Sequence, residues 1–166
     1  MTSEANMTGF KTADLYDEFG EQLQVCAPGL SDFGGRRAFT GPVETVRCHN
    51  DNSRVRECVS QPGQGRVLVV DGGGSLHCAL LGDLLAQKAV DNGWAGIVIN
   101  GCIRDAADIA AMPLGVKALA TIPRKSVRRD RGETGVPVSF LGVNFSPGDR
   151  LYADEDGLVV LSRQTP

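Results

Sequence analysis

The sequence predicts an α/β fold built around a right-handed β-α-β unit, and three features predict it. Arg66-Val67-Leu68-Val69-Val70-Asp71 is a β-branched apolar run of the kind that fills the centre of a parallel or mixed sheet. From Gly82 to about Asn92 the apolar residues Leu84, Leu85, Ala89 and Val90 recur at helical spacing. Asn92-Gly93 stops that helix, and Trp94-Ala95-Gly96-Ile97-Val98-Ile99-Asn100 is the returning strand.

The remaining elements follow in order. Thr12 is placed to cap a first helix that runs to about Phe19, with Asp14, Asp17 and Glu18 favouring its positive end and Gly20 closing it. Residues 28–37 lack periodicity and contain adjacent glycines, so they read as a shaped loop. Residues 42–48 alternate apolar and polar side chains, the pattern of a strand with one buried face. Asp51 or Asn52 can cap a short helix over 54–60, which Pro62-Gly63 terminates. After the second strand of the β-α-β unit, Arg104 and Asp105 enter a short helix reaching about Met112 and limited by Pro113. Further strands are predicted at 116–121, 136–143, 151–153 and 158–161, with turns at 147–149 and 154–157.

Composition narrows the function classes. A chain of 166 residues is the size of one domain, taken as 1–166, and can bury a core of its own. No apolar run approaches the roughly 20 residues that span a bilayer, so no membrane association is expected. Met1-Thr2-Ser3-Glu4-Ala5-Asn6-Met7 has neither a basic nor an apolar segment, which argues against a secretory signal and for a cytoplasmic protein. The five cysteines are odd in number and widely spaced, with no Cys-x-x-Cys pair, and read as reduced core residues. A net charge of −3 argues against direct nucleic-acid binding across the surface. The one basic stretch, Arg124-Lys125-Ser126-Val127-Arg128-Arg129-Asp130-Arg131, lacks aromatics for base stacking and reads as a solvated loop.

The turn Gly72-Gly73-Gly74-Ser75 after a strand invites a nucleotide or S-adenosylmethionine reading, but the spacing fails. The sixth position counted from Gly72 is His77 rather than glycine, and the next strand ends in Asn100-Gly101 rather than an acid that could hold a ribose. A tight turn fits better. His49 and His77 are read as structural.

The residues that carry chemistry lie at the two ends of the β-α-β unit. Asp83 is followed, after twenty intervening residues, by Arg104-Asp105, enough chain for a helix and a strand that returns beside the helix start. The first-turn amides of the helix opened by Gly82, from Gly82 and Asp83 to Leu84 and Leu85, can cradle a carboxylate, aided by a helix dipole of about half a positive charge. Arg104 offers a planar fork to the same anion or to an adjacent keto oxygen. Asp105 is the candidate ligand for a divalent ion, since one carboxylate plus retained waters commonly holds magnesium, and Asp108 can orient those waters. Asp83 can relay a proton through a bound water. Taken singly, each has a plain structural alternative: Asp83 a capping acid, Arg104 and Asp105 a surface ion pair, Asp108 solvated. Together they describe a site for a small dianionic ketoacid.

Phe33-Gly34-Gly35-Arg36, the run from Gly65 to Ser75, Gly93-Trp94-Ala95-Gly96-Ile97-Val98 and Leu151-Tyr152-Ala153-Asp154 resemble the family that comprises the regulator of ribonuclease activity A and the 4-hydroxy-4-methyl-2-oxoglutarate aldolases. Aldolase members carry an Asp, twenty residues, then Arg-Asp, which Asp83 and Arg104-Asp105 match. The resemblance implies a β/β/α fold similar to the phosphohistidine swivelling domain, assembled as a homotrimer or hexamer with sites at subunit boundaries. It implies Mg2+ or Mn2+ near Asp105, and pyruvate held by Arg104 and the amides of 82–85. The expected activity is metal-dependent cleavage of 4-hydroxy-4-methyl-2-oxoglutarate-type ketoacids, or decarboxylation of oxaloacetate, both through a pyruvate enolate. A Schiff base on Lys88 or Lys117 ranks below this route. The competing expectation is a non-catalytic protein that binds and inhibits a ribonuclease or other partner. A methyltransferase, a label attached to some members, ranks third.

Overall fold

The computed structural model describes residues 9–163, so the targeting reading made on residues 1–7 lies outside the described chain. In chain order the elements are α1 (Thr12–Phe19), a 3-10 turn (Gly20–Gln22), β1 (Leu23–Val25), β2 (Ser31–Asp32), β3 (Phe39–Arg47), α2 (Ser53–Val59) and β4 (Val67–Asp71). There follow β5 (Ala79–Leu81), α3 (Asp83–Asp91), β6 (Gly96–Ile103), α4 (Ala106–Ala110) and β7 (Gly115–Thr121). The chain ends in β8 (Glu133–Thr134), β9 (Val138–Phe140), β10 (Val143–Phe145), β11 (Arg150–Asp154) and β12 (Gly157–Leu161).

A mixed sheet runs β1-β12-β11-β3-β4-β6-β7-β2, with β5 added to β6 and β8 to β3. Its centre is parallel, β3 with β4, β4 with β6 and β6 with β7, and its flanks are antiparallel. Alternation along the central strands creates two cores. Leu68, Val70, Ile97 and Ile99 face α2, α3 and α4, while Val67, Val69 and Val98 face the β9–β10 hairpin and the β11–β12 ribbon. The fold is therefore strand layers on one side and helices on the other, the mixed α/β arrangement expected from the sequence. No helix of the described residues is long and apolar enough to cross a membrane.

Several elements differ from the sequence reading. Thr12 is the first helical residue rather than the cap: its amide and Oγ1 donate to the Asp154 carboxylate at 2.8 and 2.7 Å, so an acid from the end of β11 caps α1 across the fold. Residues 136–143 are not one strand. Leu141 and Gly142 both take positive φ, 49° and 79°, and make the two-residue loop of the β9–β10 hairpin. Leucine is not a usual residue there, and its side chain packs on the apolar layer in compensation. The short strands β1, β2, β5 and β8 carry too few residues for a periodic signal. The second strand of the β-α-β unit runs on to Ile103, and α4 starts only after Asp105 and ends at Ala110. Lys117, far from any amine chemistry, is buried on β7, where Nζ meets Asp32 at 2.9 Å and donates to the Asp154 carbonyl at 2.9 Å.

Four cysteines are buried, and Cys26 is partly so. Burial pushes the Cys48 thiol up to about 12, with Asp51, Asp71 and Cys78 adding to it, and pushes Cys58 up to about 11. Unfolded, such thiols ionise near 8.5. Above about pH 9 the unfolded chain therefore holds fewer protons than the folded one, and stability falls as pH rises. Urea midpoints should drop more steeply between pH 8.5 and 10.5 for the parent than for Cys48→Ala. Asp154→Ala strands the Thr12 amide and hydroxyl in a buried site, and urea unfolding should show a loss of about 1–3 kcal/mol.

Candidate active site

The site is created by strand pairing. β5 lies parallel to the far end of β6, with Ala79 opposite Cys102 and Leu81 opposite Ile103, and the Arg104 amide donates to the Leu81 carbonyl at 2.9 Å. β6 can accept β5 because β4 stops pairing at Asn100, which leaves Cys102 and Ile103 open on that edge. Two chains thus leave the sheet side by side: Gly82 into α3, Arg104-Asp105 into α4.

Asp105 adopts the left-handed conformation, φ 58° and ψ 43°, at the N-cap of α4. Aspartate tolerates that region better than most side chains, and the turn brings its carboxylate back over α3. Oδ2 accepts the Asp83 amide at 2.9 Å. Gly82, the N-cap of α3, has an ordinary extended backbone, so its lack of a side chain matters for space. A Cβ there would lie 2.9 Å from Asp105 Oδ2 and 3.4 Å from Arg104 Nε.

The cleft in front of these groups has a volume of about 520 Å³. One wall is Gly82, Asp83, Leu84, Leu85, Arg104 and Asp105; the other is Asn52 with Lys125, Ser126, Val127 and Arg128. The helix start is less open than the sequence suggested, because Asp105 already occupies the Asp83 amide. The Leu84 and Leu85 amides meet no protein acceptor among the described residues, which leaves two donors for a bound anion. Arg104 Nε lies 4.0 Å from Asp105 Oδ2 and one terminal nitrogen reaches the Pro123 carbonyl at 3.4 Å. The Asp83 carboxylate has no hydrogen-bond partner among the described residues. Asp108 is exposed and does not line the cleft.

The second wall was not legible as part of a site. The basic stretch read as a solvated loop does expose its side chains, but its backbone is pinned. Buried Asp51 accepts the Arg129 and Arg131 amides on Oδ2, at 2.7 and 3.3 Å, and the Ser53 amide and hydroxyl on Oδ1, at 2.9 and 2.6 Å. Burial alone would raise its pKa; these hydrogen bonds outweigh burial and hold it below the usual carboxylate range. Asn52 does the rest. Its amide reaches Ser126 Oγ, its Nδ2 the Leu80 carbonyl, and its Oδ1 accepts Arg128 Nε at 3.0 Å. The sequence marks Asp51 and Asn52 as helix caps; their further role rests on two adjacent amide-binding side chains buried together, a pattern with no local periodicity.

Other candidates fall outside the cleft. His77 contacts Arg124 at 3.0 Å, His49 contacts Asn50, and Lys88 is exposed on α3. In the glycine turn, the amides of Gly72 and Gly74 donate to the Asn100 carbonyl and that of Gly73 to Asp71 Oδ1, so none of these three is offered to a phosphate. Among the described residues no three His, Cys, Asp or Glu side chains converge as a metal cage.

A family profile described as "RraA-like: Aldolase/RraA" matches residues 12–160. A curated relative from Laribacter hongkongensis, named "Putative 4-hydroxy-4-methyl-2-oxoglutarate aldolase", is 59% identical over 150 residues, covering 90% of this chain and 94% of that one. Among solved structures, an S-adenosylmethionine: 2-dimethylmenaquinone methyltransferase from Geobacillus kaustophilus is 50% identical, with a TM-score of 0.89 and coverage of 93% and 96%. The RNA-processing inhibitor RraA from Thermus thermophilus is 46% identical, with a TM-score of 0.88 and coverage of 91% and 92%. The chain, matched by that profile over nearly all its length and by relatives this similar, belongs to the RraA-like family.

Proposed function

We propose that the protein is a divalent-metal-dependent lyase that releases pyruvate from 4-hydroxy-4-methyl-2-oxoglutarate-type ketoacids, or by decarboxylation of oxaloacetate. The observation that carries this reading is the packing of Arg104-Asp105 against the start of α3, next to the unpaired Leu84 and Leu85 amides. The aldolase names of curated relatives support it. The glycine turn, its amides consumed internally, gives no support to methyl transfer.

Both reactions break a carbon–carbon bond to leave the enolate of pyruvate, so one site serves both. The C1 carboxylate is taken by the Leu84 and Leu85 amides at the positive end of α3. Arg104 donates to the keto oxygen as it becomes the enolate oxygen, a preorganised donor aimed where charge develops. Asp83, whose carboxylate has no partner among the described residues, removes the proton from the substrate hydroxyl through a water in aldol cleavage and returns a proton to the enolate carbon. The donor set fits a hard cation: Asp105 has one carboxylate oxygen tied to the Asp83 amide and the other with no protein donor among the described residues, and no thiol or imidazole lines the cleft. Asp105 would hold Mg2+ or Mn2+ there, and the ion would supply Lewis-acid polarisation of the ketoacid; Asp108, outside the cleft lining, takes no part.

We infer a homotrimer or hexamer with the cleft near a subunit boundary. Leu84 and Val127, at 77% and 59% exposure on opposite lips, are apolar groups that a neighbouring subunit would cover. The name of the Thermus thermophilus neighbour, an RNA-processing inhibitor, supports the second reading, a non-catalytic regulator that binds and inhibits a ribonuclease or other partner.

A pyruvate-release assay on oxaloacetate separates the two. The lyase should show magnesium-dependent turnover above that of free metal, abolished by EDTA and restored by Mg2+ or Mn2+; turnover no faster than free metal would leave only the regulator. Arg104→Ala and Asp105→Ala should each lower kcat/KM by about 10²–10³ with the circular dichroism spectrum unchanged. Gly82→Ala forces the Asp105 carboxylate and the new methyl apart, and should cut activity at least tenfold while moving Tm little.

A further inference from the structure

Beside the cleft lies a second hollow, of about 510 Å³, between α2 and the loop 128–130. Four arginines line it, Arg54, Arg56, Arg128 and Arg129, against two acids, Glu57 and Asp130. The acids are spent on one another's neighbour: Arg54 bonds Glu57 at 2.7 Å and Asp130 at 2.6 Å. Arg56 and Arg129 have no side-chain partner among the described residues, whereas Arg47 and Arg66 each pair with a glutamate. Arg128 lines both hollows, tethered through Nε to Asn52 and with its terminal nitrogens free of protein acceptors among the described residues.

The loop that carries these charges does not float. Asp51 fixes the Arg129 and Arg131 amides, and Ser53 Oγ accepts the Asp130 amide at 3.1 Å. With both carboxylates of the hollow engaged by Arg54, the guanidiniums of Arg56, Arg128 and Arg129 leave an excess of positive charge that an anion accepting from several of them relieves. Pre-positioning by a buried clamp lowers the cost of ordering the site when that anion arrives.

We propose that this hollow is a second anion site, separate from the cleft, which takes a small dianionic oxyanion, a phosphate monoester or a dicarboxylate, on Arg56, Arg128 and Arg129. Because Arg128 also walls the cleft, occupancy of one hollow is felt in the other.

Thermal unfolding tests it without relying on enzyme activity. At a concentration about tenfold above its Kd, inorganic phosphate should raise Tm by about 2–4 °C over sodium chloride of equal ionic strength. A parallel titration with malonate tells a phosphoryl group from a dicarboxylate as the occupant. The rise should persist in Arg104→Gln, in which the cleft has lost its guanidinium, and vanish in the surface double variant Arg56→Gln/Arg129→Gln. An equal rise in chloride alone, a rise that survives the double variant, or one that disappears in Arg104→Gln would each overturn the proposal. The outcome is independent of whether the cleft proves to be a lyase.

Discussion

The parallel pairing of the three-residue strand β5 with the end of β6 holds the candidate site together. Without that pairing, Gly82 and Arg104 would be separated by a helix and a strand with nothing to bring them back to one edge. With it, the Leu81 carbonyl and the Arg104 amide are hydrogen-bonded, and the two following residues on each chain emerge as neighbours. The left-handed turn at Asp105 and the bare Cα of Gly82 then allow the carboxylate to cap α3. Each is a local departure from the easiest backbone or side-chain choice, and such departures gather where geometry matters more than stability.

Asp105 consequently has two tasks. One oxygen satisfies an amide that would otherwise be open at the start of α3, and the residue also lines the cleft. The anion-binding capacity of the helix start is reduced by one donor, but the acid is held in a fixed orientation relative to Arg104, the pair lying 4.0 Å apart. A carboxylate fixed this way is a better candidate for gripping a cation than a freely rotating one, since less order has to be imposed on binding.

Charge is distributed unevenly. The residues lining the two adjoining hollows comprise six cations and four acids, on a chain whose overall charge is −3. A locally positive surface on an acidic body draws anionic ligands toward one face, and the concavity sharpens that field. The buried Asp51 keeps the positive loop in place, so the surface and the cleft wall share one support.

The central architecture was legible because burial on both faces leaves a β-branched run and a helical period in the chain itself: Val67 to Val70, Leu85 and Ala89, Ile97 to Ile99. The spacing of Asp83 and Arg104-Asp105 was legible for the same reason, as the length of one helix and one strand. What sequence alone could not decide lay in contacts between distant residues. Asp154 caps α1, Asp51 clamps a loop some 78 positions away, and β5 is too short to announce itself. Local pattern encodes which face of an element is buried; which amide meets which carboxylate is set by how the buried faces stack, and only the assembled tertiary structure determines that.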